Sequence, residues 1–115
     1  MAAHNSDLEA RARAARYPIE VPLTYQAVPG GDWLEGRSMN VSDSGVLFST
    51  AHPILPANAR IDVRLQLSLV HPGAADIACS GRIVRGRFGD DAPDLSVMAA
   101  AFDHIELDGS PAPAR

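Results

Sequence analysis

Apolar and polar residues alternate along most of the chain between residues 19 and 102. The clearest run spans residues 60–70, where apolar side chains occupy every second position: Ile61, Val63, Leu65, Leu67 and Leu69. A period of two places these side chains on one face of a strand, whereas a helix would distribute them around its axis. The pattern therefore predicts a strand with one buried face over residues 60–70.

The chain contains further segments that are rich in strand-forming residues, and these are predicted as strands at residues 19–26, 33–42, 46–48, 77–88 and 95–102. Glycine, proline, asparagine and aspartate are concentrated between several of them and favour turns there. Pro22 has no N–H to donate, so the first strand is expected to lie at a sheet edge or to be bulged. Six strands in a chain this small favour an antiparallel barrel or a tight sandwich, and a closed barrel also removes exposed edges.

The two ends of the chain lack this alternation. Residues 1–15 are polar and rich in alanine and arginine, and an isolated helix of this length is marginal in water, so they are predicted to form a flexible or partly helical arm. Residues 108–115 carry two prolines and a glycine without apolar periodicity, which is typical of a disordered tail. A single domain is therefore predicted over residues 16–107.

Features that mark other compartments are missing from the sequence. No apolar stretch approaches the ~20 residues that are needed to cross a bilayer, and the first residues lack the basic and apolar regions of a secretory signal peptide. Cys79 is the single cysteine, so an intrachain disulfide is excluded, and its place in an alternating segment predicts a small buried residue. We therefore expect a cytoplasmic protein with no membrane insertion.

All ten basic residues are arginine, in a chain of net charge −4. Genomic base composition is one explanation for this bias, but six of the arginines fall in two clusters, Arg11, Arg13 and Arg16, then Arg82, Arg85 and Arg87. The guanidinium fork matches phosphate oxygens and the Hoogsteen edge of guanine. Duplex nucleic acid requires a broad basic face, which an acidic chain does not offer. Local arginine clusters on an acidic chain therefore favour one compact anion. The second cluster is interpreted as solvent-facing strand charges, and contact between one of its arginines and the ligand is the less favoured alternative.

Residues 40–45 have the sequence Asn-Val-Ser-Asp-Ser-Gly between two predicted strands. These residue types form tight turns, and Gly45 would supply a positive φ angle there, so a purely structural turn is one interpretation. Such a turn also projects small polar side chains and backbone N–H groups into one concavity. That concavity suits a phosphate or the edge of a base, which is the second interpretation.

The segments RYPIEVPLTY, NVSDSG, GVLFST and SGRIVR, with a closing apolar strand that ends at Phe102, resemble a PilZ domain over about residues 12–106. The family pattern is R-x-x-x-R on an N-terminal arm, followed by [D/N]-x-S-x-x-G. The resemblance implies a six-stranded antiparallel β-barrel that binds cyclic diguanylate (c-di-GMP) as its ligand, without a cofactor. Many members end in a helix, and here only residues 103–107 could form one, as a single turn.

The second motif is complete as Asn40, Ser42 and Gly45, whereas the first is partial. Arg16 matches its second arginine, but Ala12 stands at the position of its first. Arg11 and Arg13 flank that position and are candidates for the missing contact.

The resemblance also implies a role for each matched residue. Arg16 would contact phosphate or guanine, Asn40 and Ser42 would hydrogen-bond to the ligand, and Gly45 would allow the turn. A lost charge-assisted contact costs about 1.5–3 kcal/mol, which corresponds to roughly a ten- to hundredfold loss of affinity.

Catalysis is not indicated by the sequence. Ser42 and Ser44 lack a G-x-S-x-G elbow and a nearby histidine, and the four scattered histidines show no metal-ligand spacing. Two functions stay open: a c-di-GMP receptor that acts on an unidentified protein effector, and a PilZ-like adaptor that does not bind c-di-GMP and works by protein contact alone. The complete second motif favours the receptor, and Ala12 favours the adaptor.

Overall fold

The computed structural model describes residues 18–89 and 94–108. The strands are β1 (Pro22–Ala27), β2 (Trp33–Ser42), β3 (Gly45–Thr50), β4 (Arg60–Leu65), β5 (Asp76–Phe88) and β6 (Ser96–Asp108). They form a closed barrel in the order β1-β2-β3-β6-β5-β4, and every neighbouring pair is antiparallel. The predicted six-stranded antiparallel barrel is confirmed. The predicted arm and residues 109–115 lie outside the described residues.

The core lies inside the barrel and is built from alternate residues of each strand. Tyr25 and Phe48 are its largest members, with no exposed surface and ring centroids 5.0 Å apart. The Tyr25 hydroxyl donates a hydrogen bond to Thr50 Oγ1 at 3.2 Å, and burial raises the pKa of this phenol above its usual value. Cys79 is buried as predicted, and burial raises the pKa of its thiol to about 12.

Ser38 fixes the segment that leads into β1. Its hydroxyl accepts the N–H of Val21 at 2.9 Å and donates to the carbonyl of Ile19. The backbone N–H of Ser38 donates to the carbonyl of Val21 at 3.0 Å. The segment Ile19–Val21 therefore enters the barrel alongside β2 at Ser38, which lies two residues before Asn40.

Two predicted strand boundaries were wrong at this end of the barrel. β1 begins at Pro22 rather than at residue 19, and Ile19 is exposed. β4 ends at Leu65, and the chain then forms a short 3-10 helix over Leu67–Leu69. Leu69, predicted on the buried face, is 65% exposed.

Pro22 explains why strand β4 ends at Leu65. The N–H of Gln66 donates to the carbonyl of Pro22, which has no N–H to return, so the β1–β4 ladder ends there. The N–H of Ser68 then finds the Asp76 carboxylate at 2.9 Å, which supports the helical turn.

The last strand is longer than predicted and occupies residues 103–107, where at most a single helical turn was expected. β5 begins at Asp76, which pairs with Asp108, so β5 provides a partner for β6 along its whole length. Backbone groups of β5 are satisfied by this extension, so the chain stays extended instead of turning into a helix. No helix among the described residues is long and apolar enough to cross a membrane.

Gly45 is required for a reason other than the predicted positive φ, which it does not adopt. A Cβ at this position would run into the carbonyl of Ala100 on β6. Gly45 therefore permits the close approach of β3 and β6 that closes this side of the barrel. Gly73 differs, since its φ of +91° requires glycine although the space around it is open.

We predict that Gly45→Ala lowers the free energy of unfolding by about 3 kcal/mol, because a backbone carbonyl cannot move aside as a flexible side chain would. Gly73→Ala is the matched control and should cost only about 1–2 kcal/mol, from the positive φ alone. Urea unfolding followed by circular dichroism measures both. Equal losses, or a smaller loss for Gly45→Ala, would contradict the steric explanation.

Candidate ligand-binding site

Cross-strand pairing places four residues in one lateral row on the outer face of the barrel. Asn40 on β2 pairs with Leu47 on β3, Leu47 with Ala99 on β6, and Ala99 with Arg85 on β5. Neighbouring strands are about 4.8 Å apart, and three such spacings separate β2 from β5. The backbones at Asn40 and Arg85 are therefore about 14 Å apart along the row. The row therefore brings the [D/N]-x-S-x-x-G segment and the second arginine cluster within the span of one small ligand.

A solvent-open groove of about 250 Å³ follows this row. Its lining combines small residues, Gly45 on β3 and three alanines on β6, with the larger apolar residues Val46, Leu47 and Val84. The groove forms because these small side chains lie between larger ones and leave space above them. The complete lining is Asn40, Ser44, Gly45, Val46, Leu47, Val84, Arg85, Ala99, Ala100 and Ala101.

Ser42 organises the turn beside the groove and is not among its lining residues. It is 8% exposed, and its hydroxyl accepts the N–H of Ser44 at 3.2 Å and lies 3.1 Å from Ser44 Oγ. The carbonyl of Ser44 accepts the N–H of Phe102 at 2.9 Å, which attaches the hairpin to β6. The hydroxyl of Ser42 therefore holds the two-residue turn, and Ser44 is the serine that borders the groove.

Asn40 presents an amide side chain to the groove. The β2–β3 register shifts between Ser38 and Asn40, and such a bulge changes the direction in which a side chain points. Asn40 is partly buried, and its side chain makes no hydrogen bond with another described residue. An amide in this state can both donate to and accept from a ligand.

Arg85 lies on the opposite wall of the groove and was missed as a site residue. Arg82, Arg85 and Arg87 are all exposed, as predicted, but only Arg85 of the three lines the groove. The β5–β6 register shifts between Ile83 and Arg85, so Val84 and Arg85 are both exposed next to the buried Ile83. Simple alternation cannot predict this placement, because a bulge changes which face each later residue occupies.

The electrostatic character of the groove follows from its lining. Arg85 is the one charged residue among those lining residues, which include no carboxylate, histidine or cysteine. Such a surface can attract and orient an anion, and it offers no titratable acid–base pair for catalysis. A cationic, partly apolar groove of this kind suits a phosphorylated aromatic ligand.

A second depression of about 190 Å³ lies elsewhere on the outer surface, between β4, β5 and the end of β6. Its polar side chains contact each other: Ser80 Oγ donates to Asp62 at 2.9 Å, and His104 Nε2 lies 3.0 Å from Glu106. Within residues 18–89 and 94–108, no group of three or more histidine, cysteine, aspartate or glutamate side chains is arranged to hold a metal ion.

The candidate arginines Arg11, Arg13 and Arg16 lie outside the described residues. Of the other predicted ligand residues, the structure brings Asn40 and Gly45 to one groove and directs the Ser42 hydroxyl into the turn. The described segment Ile19–Val21 is anchored beside β2, and Arg16 precedes the described residues by two positions in the sequence.

Comparison with known proteins identifies the family. A search of curated sequences found no significant match. A family model described as PilZ domain matches residues 10–109, which include all six strands and the groove. With its closed six-stranded barrel and this match over most of its length, the chain belongs to the PilZ domain family.

Proposed function

We propose that this protein is a c-di-GMP receptor that binds its ligand in the outer groove and signals through ligand-dependent contacts with a protein effector. The observation that carries the proposal is that Asn40 and Gly45, two residues of the family motif, line one solvent-open groove. Membership of the PilZ family, whose members act as c-di-GMP receptors or adaptors, supports the same ligand class.

The chemistry of the groove fits a purine dinucleotide. The Asn40 amide matches the donor and acceptor groups on the edge of a base, and Leu47 and Val84 provide apolar contact for its faces. The row across the groove ends in a cation, which suits a phosphate. The ligand is therefore proposed to lie along the row from Asn40 towards β5.

The size of the groove indicates that the barrel covers only part of the ligand. Pockets that enclose a drug-sized molecule have volumes of about 300–1,000 Å³, whereas this groove measures about 250 Å³. Further contacts must come from outside the barrel wall. The described chain passes Ser38 of β2 at Ile19–Val21, and we propose that Arg16, with Arg11 or Arg13, covers the exposed side of the ligand.

Calorimetric titration of the full chain with c-di-GMP tests the proposal directly. We expect saturable binding, and no comparable binding of cyclic di-AMP, because the adenine edge lacks the O6 acceptor that arginine recognises on guanine. Absence of a response to c-di-GMP at millimolar concentration would reject the receptor function.

Arg16→Ala should weaken c-di-GMP binding at least about tenfold, because a charge-assisted contact is lost. The thermal midpoint should stay nearly unchanged, since surface substitutions usually change the free energy of unfolding by less than about 0.5 kcal/mol. Arg115→Ala removes the same charge from the other end of the chain and serves as the control. Equal affinity of Arg16→Ala and the wild type would show that Arg16 is not the matching motif arginine.

A ligand-blind adaptor is the second candidate function, and the observation in its favour is Ala12 at the first arginine position of the family motif. In this case the barrel would act through protein contacts only. The two functions differ in whether an arginine added at this position has a ligand to contact.

Ala12→Arg should therefore strengthen c-di-GMP binding. The added contact, reduced by the entropy of ordering a long side chain, should leave roughly 1 kcal/mol or more, or about a fivefold gain. The gain should shrink as salt rises, because exposed charges are screened. Titrations at low and high salt measure it, with Ala12→Gln as an uncharged control of similar length.

An unchanged affinity at low salt has two explanations, and Arg11→Ala and Arg13→Ala separate them. If either weakens binding, that arginine already occupies the missing position. If neither does, the arm does not reach the ligand, and the adaptor function is favoured.

A further inference from the structure

We propose that Arg85 provides, from the β5 wall of the groove, the second guanidinium contact to c-di-GMP that Ala12 cannot make. This inference rests on the proposed function. It assigns a ligand contact to a strand that lies outside both sequence motifs, and it explains how a chain with an incomplete arginine motif would hold a dianionic ligand.

Strand pairing places Arg85 directly across the groove from the motif. Asn40, Leu47, Ala99 and Arg85 are successive partners in one row, and Ala99, between the two ends, has only a methyl side chain. No bulky side chain in this row therefore stands between Ala99 and Arg85. A ligand that hydrogen-bonds to Asn40 and extends along the row passes over Leu47 and Ala99 and then reaches the guanidinium group.

The irregularity in β5 is what makes this possible. The pairing with β6 shifts between Ile83 and Arg85, so that Ile83 fills the core while Val84 and Arg85 both face outwards. Bulges of this kind often redirect side chains at binding sites. Here the shift places an apolar side chain and a cation side by side at the groove, a combination that suits a base next to its phosphate.

The charge of Arg85 is available to a ligand. Within residues 18–89 and 94–108, Arg85 makes no hydrogen bond or ion pair. Arg82 lies near Asp103, whose pKa is held below its usual value mainly by its hydrogen bond with Arg60. Arg87 donates a hydrogen bond to the carbonyl of Phe88. Arg82 makes no hydrogen bond or ion pair with a described residue either, so Arg85 is distinguished from it by lining the groove, where its guanidinium group can bind a phosphate.

The proposal also predicts ligand selectivity. Arg85 on β5 and Asn40 on β2 lie at opposite ends of the row across the groove, so both are contacted only by a ligand long enough to span it. A cyclic dinucleotide meets this requirement, whereas guanosine monophosphate does not. Loss of Arg85 should therefore reduce the preference for c-di-GMP over guanosine monophosphate, an effect that a purely structural role would not produce.

The test compares Arg85→Ala with Arg82→Ala by calorimetric titration of c-di-GMP into the full chain. The two substitutions remove the same charge from the same strand, but Arg82 does not line the groove. We expect Arg85→Ala to weaken binding at least tenfold and Arg82→Ala to change it less than threefold, with both variants retaining the wild-type thermal midpoint. Arg85→Lys, which keeps the charge without the planar fork, should fall between them.

The outcomes separate this inference from the function on which it rests. If the wild type does not bind c-di-GMP, the receptor function fails and the inference fails with it. If the wild type binds and Arg85→Ala binds as well as Arg82→Ala, the inference is overturned while the receptor function stands.

A second measurement tests whether Arg85 substitutes for the missing arginine. Ala12→Arg should increase affinity more in the Arg85→Ala background than in the wild type, because the two side chains then serve the same need. An equal gain in both backgrounds would show that the two positions act independently, and it would contradict the substitution.

Discussion

Strands β3 and β6 approach so closely at Gly45 that a Cβ there would run into the carbonyl of Ala100. This approach closes the barrel on the side that carries the motif. On this side of the barrel the partners of β3 on β6 are alanines, from Ala101 opposite Gly45 to Ala99 opposite Leu47. The same smallness leaves the outer groove, so one steric constraint produces both the closed fold and the candidate binding surface. A larger residue at Gly45 would disturb the barrel before it could affect a ligand.

Much of the fold could be predicted from the sequence because alternation is a local signal. Burial of every second residue specifies a strand wherever it occurs, and the inward series ending in Leu65 follows that rule. The rule fails beyond Leu65, where Leu67 and Leu69 continue the pattern in a 3-10 helix. What ends the strand is Pro22, a residue more than forty positions away that offers a carbonyl and no N–H. Strand ends depend on partners of this kind, and partners cannot be obtained from a local pattern.

The same distinction applies to the candidate site. The motif residues are close in sequence, so Asn40 and Gly45 could be named from the chain alone, and both line the groove. Arg85 on the opposite wall could not be named from the chain alone, because its position depends on how β5 pairs with β6 and on one shift in that pairing. Ser42 was predicted as a ligand residue from the sequence, but the structure gives it another role. Its residue type suggests a ligand donor, but in the folded chain its hydroxyl serves the turn through Ser44, an interaction that the spacing permits but does not require.

The shallow groove has a consequence for how a receptor of this design would signal. A charge-assisted contact contributes about 1.5–3 kcal/mol, and each 1.4 kcal/mol changes affinity tenfold, so a few guanidinium groups decide whether a dinucleotide binds at cellular concentration. Contacts from the barrel wall are fixed by strand pairing, whereas contacts from the segment before Pro18 require that segment to be placed over the ligand. For any segment that becomes ordered on binding, the ordering costs free energy, roughly 1–2 kcal/mol for each residue. Ligand affinity and the position of that segment are then coupled, and by reciprocity an effector that holds the segment in place would tighten ligand binding by the same factor. If one arginine contact came from β5 instead of from the segment, this coupling would be weaker. More of the affinity would then come from strand residues whose positions are fixed by pairing. In such a receptor, occupancy by the ligand and the response of the effector become separable properties, and the distribution of arginines between wall and segment determines the balance between them.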